Sequence, residues 1–142
     1  MKYLYAVAVA TLTLCGCTAI TVRPIDKSVQ LKHVCIQENT KVQVSDFLTV
    51  VQAGFDRHGI STEIVSGNVP GNCEYLLTYT ALRHWDVSTF LSHAELRIER
   101  AGRQVGYAEY HLKNNGGLSL NKWASTKSKM DPAVDQLLSA YK

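Results

Sequence analysis

Phe90-Leu91-Ser92-His93-Ala94-Glu95-Leu96-Arg97-Ile98-Glu99-Arg100 is followed by Ala101-Gly102 and then by Arg103 to Leu112. The first of these runs alternates. Ala94, Leu96 and Ile98 fall on one side of an extended chain, and His93, Glu95, Arg97 and Glu99 on the other. Successive strand side chains point to opposite faces, so this is a strand with one buried and one wet face. Ala101-Gly102 suits a tight hairpin turn, where Gly takes a positive φ without penalty. Arg103 to Leu112 returns as the partner strand. With a two-residue turn, Ile98 faces Val105 and Leu96 faces Tyr107, both apolar pairs.

The elements before this hairpin follow from the same reasoning. Cys73 to Trp85 is a long strand, with Tyr75, Leu77, Tyr79 and Ala81 on one face. Asp86-Val87-Ser88-Thr89 turns the chain into Phe90. Upstream, Leu31 to Gln37 and Ile60 to Val65 read as shorter strands. Between them, Leu48, Val51 and Phe55 fall at helical spacing, with Ser45 as cap and Gly59 as stop, which predicts a helix over Ser45 to His58. Gly54 inside it suits close approach to the sheet. At the other end, Met130, Val134, Leu137, Leu138 and Tyr141 form an apolar stripe. Either Asp131 caps a short helix with Pro132 at its first position, or Ser125 caps a longer one containing Pro132; the stripe includes Met130 and favours the longer. Antiparallel strands cannot bury a face alone, and two amphipathic helices are available to cover one. The fold class expected is α+β: a two-layer sandwich, mostly antiparallel, of about five strands with two helices on one face.

The N-terminus has a different character. Lys2 precedes an apolar run from Tyr3 to Leu14, too short to span a membrane and ending in Leu14-Cys15-Gly16-Cys17. That layout is a secretory signal. Its last four residues resemble the lipobox of bacterial lipoproteins. The resemblance implies cleavage before Cys17, a diacylglyceryl group on its thiol and an acyl group on its new amine. Thr18 lacks the Asp that such proteins carry when retained in the inner membrane, which points to the outer membrane and a domain facing the periplasm. Residues 1–16 are then a signal peptide, residues 17–30 a lipidated tether, and residues 31–142 a single domain. The lipobox and the element order also loosely resemble small outer-membrane lipoproteins such as the lipopolysaccharide-assembly lipoprotein. No functional residue carries over from that likeness.

Of the 142 residues, 126 would remain after cleavage, enough for one core. Lys2 leaves with the signal, so 14 basic residues face 12 acidic ones, scattered without blocks. Nothing there calls for nucleic acid. In an exported chain the two spare cysteines, Cys35 and Cys73, predict a disulfide.

Motifs for catalysis are absent. The sequence holds no G-x-S-x-G, H-E-x-x-H, P-loop or C-x-x-C. Five histidines, His33, His58, His84, His93 and His111, raise the question of metal. With the pairing above, His93 faces Tyr110, so Glu109 and His111 lie on the opposite side of the sheet from His93 and Glu95. A four-ligand site does not then assemble, and neither metal nor cofactor is expected. The expected function is a non-enzymatic envelope lipoprotein. It would touch a protein, glycan or lipid partner through the open sheet face or an edge strand, with Tyr110, Arg97 and Trp85 as candidate contact residues. The competing reading is a small hydrolase or metal-dependent enzyme with a hidden site.

Overall fold

The structure, a computed structural model, describes residues 18–141. The signal segment 1–16 and Cys17 lie outside the described residues.

Six strands form one sheet: β1 (Thr18–Arg23), β2 (His33–Gln37), β3 (Ser61–Val65), β4 (Tyr75–Asp86), β5 (Ser88–Arg100) and β6 (Arg103–Leu112). Their spatial order is β1-β6-β5-β4-β2-β3. The pairs β1–β6, β6–β5 and β5–β4 are antiparallel, whereas β2 runs parallel to both β4 and β3. The parallel half follows from the connection. A helix, α1 (Phe47–Arg57), lies between β2 and β3, and a crossover of that kind brings the chain back in the same direction. The sheet is therefore mixed.

The sixth strand is β1, in the stretch expected to be a tether. Ile20 and Val22 are partly buried and pair with Tyr110 and Ala108, while Thr21 and Arg23 are exposed. That alternation is short, but it suffices beside β6. Ile25 just beyond is 1% exposed, and its N–H donates to Leu137 O at 3.0 Å. Only a few residues of the proposed tether thus remain outside the packed domain.

The β5–β6 hairpin turns on Ala101 and Gly102, both at positive φ, with Arg100 opposite Arg103. Its register then shifts by one residue after Glu99. Ile98 faces Gly106 rather than Val105, Leu96 faces Ala108 rather than Tyr107, and His93 faces His111 rather than Tyr110. Val105 is the extra residue of a β-bulge. The cause is packing over Gly106. A Cβ there would stand 2.5 Å from Ile25 Cγ1 and 3.0 Å from Leu137 Cδ1, so this inward position admits no side chain. A second irregularity, at Ser92, separates Leu82 from Arg83, and the β4–β5 connection is tighter than expected, with Val87 alone between the strands at φ 61°.

α1 and α2 (Thr126–Leu137) cover one face of the sheet. Phe47 stacks on Tyr79 of β4, with ring centroids 5.5 Å apart, and Leu137 closes over Gly106 of β6. The core beneath them holds Phe47, Val51, Phe55, Leu77, Leu96, Ile98, Val134 and Leu137, all fully buried. Ser125 caps α2 and Pro132 lies inside it, which is the longer of the two helices the sequence allowed. Asp46, not Ser45, precedes α1, and its carboxylate accepts from Thr126 Oγ1 at 2.9 Å instead of capping its own helix. Gly54 permits close approach to α2 rather than to the sheet, since a Cβ would lie 2.7 Å from Val134 Cγ1.

Cys35 and Cys73 are disulfide-bonded, with Cα atoms 5.9 Å apart. The bond joins β2 to the segment entering β4. Among the described residues no helix is long and apolar enough to cross a membrane.

Candidate functional site

The face of the sheet away from the helices carries a polar ladder. The corrected register sets His93 opposite His111, Glu95 opposite Glu109 and Arg97 opposite Tyr107. All six side chains lie on this one face, because alternate residues of a strand share a face and directly paired residues of neighbouring strands do too. The separation of His93 and Glu95 from Glu109 and His111, expected from an unbulged hairpin, does not occur.

The ladder is tightly bonded. His93 Nε2 donates to Glu109 Oε1 at 2.9 Å and stands 3.7 Å from Glu95 Oε1. The outer oxygens of the two carboxylates are held from behind. Glu95 Oε2 accepts from Arg97 Nη2 at 2.7 Å, and Glu109 Oε2 accepts from the Tyr107 hydroxyl at 3.2 Å. Donation from His93, and secondarily from Tyr107, holds the Glu109 carboxyl below the usual carboxylate range against partial desolvation. The His93 and His111 rings meet edge to face, 5.6 Å between centroids. A shallow open pocket at the same place is lined by Leu82, His84, His93, Glu109, His111 and Asn115.

Of the three contact residues expected from sequence, the structure brings none together. Arg97 lies on the open face, with its guanidinium 5.4 Å from the Tyr107 ring centroid. Tyr110 is 1% exposed and belongs to the core, because the bulge turns it inward. Tyr75 and Tyr79 are buried as well. Trp85 is 74% exposed, but it stands at the far end of β4.

That end is apolar. Val87 (81% exposed), Leu120 (79%) and the fully exposed Leu118 are, with Trp85, the exposed large apolar residues of the β4–β5 turn and of the segment that reaches it. The tip is held as one piece. Trp123 Nε1 donates to Asp86 O at 2.9 Å, and the Lys122 ammonium, itself buried, binds the Asp86 carboxylate and donates to Gly117 O at 3.1 Å. Residues 113–123 therefore bridge the end of β6 to the β4–β5 turn. Thr18, the first residue of β1, pairs with Leu112 at this same end of the sheet.

No family model matches the sequence, and no curated protein matches it. The fold does have counterparts. The chain is similar to the PelC dodecamer from Paraburkholderia phytofirmans, with a TM-score of 0.56 and 11% identity over 87% of this chain and 98% of that one. A single-substitution variant of the same dodecamer in another crystal form gives 0.53 and 12%, covering 82% and 96%. At such identities the likeness is one of fold.

Proposed function

We propose that this chain is a lipid-anchored protein of the bacterial envelope that works by contact rather than by catalysis. Acylated on Cys17, it would lie on the periplasmic face of the outer membrane and present its open sheet face or an edge strand to a protein, glycan or lipid component. The observation that supports the reading is the place where β1 begins. Cys17 immediately precedes β1, and β1 starts at the end of the domain where Trp85, Val87, Leu118 and Leu120 stand exposed. Acyl chains on Cys17 would then lie toward the same end as these apolar side chains. Two or more chains hold a protein on a leaflet, and Trp favours the membrane–water interface. The disulfide suits an oxidising compartment. The fold likeness to a dodecamer supports assembly of several copies, for which the outer edges of β1 and β3 are free among the described residues.

Metabolic labelling with palmitate, followed by membrane fractionation, tests this. The wild type should incorporate label and float with outer membranes, while Cys17→Ser should do neither and keep its signal segment. Normal processing and membrane attachment of Cys17→Ser would refute the anchor. Substituting Trp85 and Leu120 together by Ser should leave labelling intact but increase extraction by mild detergent.

A further inference from the structure

The structure assigns a divalent metal site, suited to zinc, to the open face of the β5–β6 hairpin, with His93, Glu95 and Glu109 as ligands and His111 as the fourth. This goes beyond the contact function above and stands whether or not the chain is lipidated. One ligand atom from each of His93, Glu95 and Glu109 lies within 4.8 Å of the others. In a tetrahedron with zinc-to-ligand distances near 2.1 Å, ligand atoms are separated by about 3.4 Å. The His93 Nε2 separations of 2.9 Å from Glu109 and 3.7 Å from Glu95 bracket that value.

Three further features favour a cation. Glu95 and Glu109 sit directly opposite one another, where like charges repel, and Arg97 binds only the outer oxygen of Glu95, so a cation beside the inner oxygens would relieve the repulsion further. Each carboxylate has one oxygen fixed by a second residue, Arg97 or Tyr107, and the other turned toward His93. That is the arrangement of a ligand oriented by an outer shell. Finally, the set mixes imidazole and carboxylate, which suits zinc better than magnesium or calcium. His111 is exposed and its ring is 5.6 Å from that of His93, so a side-chain rotation brings a second imidazole to the open corner. Four protein ligands would leave no open position for substrate, so the site would pin the two strands rather than catalyse.

A second cluster provides the control. His33 and Glu63 approach to 3.6 Å, but Cys35 beside them is locked in the disulfide and offers no thiolate. Isothermal titration of zinc into the chelator-stripped, detergent-solubilised full chain should show one site per chain. Glu109→Gln and His93→Gln should each weaken binding by roughly 100-fold or more, since even outer-shell losses cost about 10–100-fold. Tyr107→Phe keeps every ligand and the fold, and should weaken binding roughly tenfold. His33→Ala should change nothing. The proposal is overturned if the wild type takes up no zinc, if Glu109→Gln or Tyr107→Phe binds as tightly as wild type, or if His33→Ala abolishes uptake.

Discussion

The two faces of this sheet are built from the same strands and have opposite tasks. Along β5, Ala94, Leu96 and Ile98 are fully buried against the helices, while His93, Glu95 and Arg97, one residue away each, form the ladder on the open side. The covered face is held by shape. Gly54 and Gly106 leave no room for a Cβ, so a helix or strand shifted by one position would not close. The open face is held by charge and hydrogen bonds between half-exposed groups, which individually stabilise little. Stability is therefore concentrated on one side, leaving the other free to carry binding chemistry. The one covalent link described, Cys35–Cys73, departs from that division. Cys35 alternates with the core residues Val34 and Ile36 and so points to the open side.

Removing the disulfide should have the largest effect. Its ends are 38 residues apart, and closing such a loop contributes about 4 kcal/mol in the chain-entropy model. Urea unfolding of the Cys35→Ser, Cys73→Ser double variant should show a loss of that order. A loss confined to a few tenths would show that the open side needs no staple. Next in size is Leu96→Ala on the covered face, expected to cost about 2–5 kcal/mol. Thr80→Ala, on the open face of β4, should stay within about 0.5 kcal/mol. Equal losses from the two substitutions would contradict the assignment of faces.

A smaller effect lies at the edge of the core. Lys129 is 5% exposed, donates to Leu91 O at 3.0 Å and also bonds to Lys122 O, and rests against the Phe90 and Tyr110 rings. Burial lowers its pKa from 10.5 to about 8. Between those values the unfolded chain holds a proton that the folded chain has released, so stability should rise with pH across the window. Below about pH 8 the ammonium is charged in both states and its burial cost is fully present. Tyr110 acts in the opposite sense at the upper end. Burial pushes its phenol up to about 12, so the unfolded tyrosine ionises first, and stability should fall from about pH 10 upward. In thermal unfolding at stepped pH, the rise above pH 8 should be lost in Lys129→Met while the fall above pH 10 remains. An identical pH profile in wild type and variant would exclude the buried ammonium as its source.

The sequence was most informative where a face is packed. The alternation of β5, the Ser125 cap of α2 and the Cys35–Cys73 pair were legible because burial, capping and oxidation each leave a local mark. β1 is not legible, because four alternating residues beside a proline resemble a linker until β6 is there to pair with them. The register of β6 is hidden for a related reason. Apolar pairing of Ile98 with Val105 looked favourable, yet the inward residue is Gly106, chosen by Ile25 and Leu137, which are far away in the chain. A glycine inside a strand is itself a sign of a bulge or a close approach, and Gly106 is that sign here. A bulge at that sign turns Tyr110 inward and brings the two histidines and two glutamates to one face.

The register of the β5–β6 hairpin thus decides both the core and the site, and proton NMR of the folded chain reads it directly. Backbone cross-strand NOEs should link Leu96 with Ala108, Glu95 with Glu109 and His93 with His111. NOEs pairing Leu96 with Tyr107 and His93 with Tyr110 would contradict the bulge at Val105, return Tyr110 to the open face and separate the proposed metal ligands.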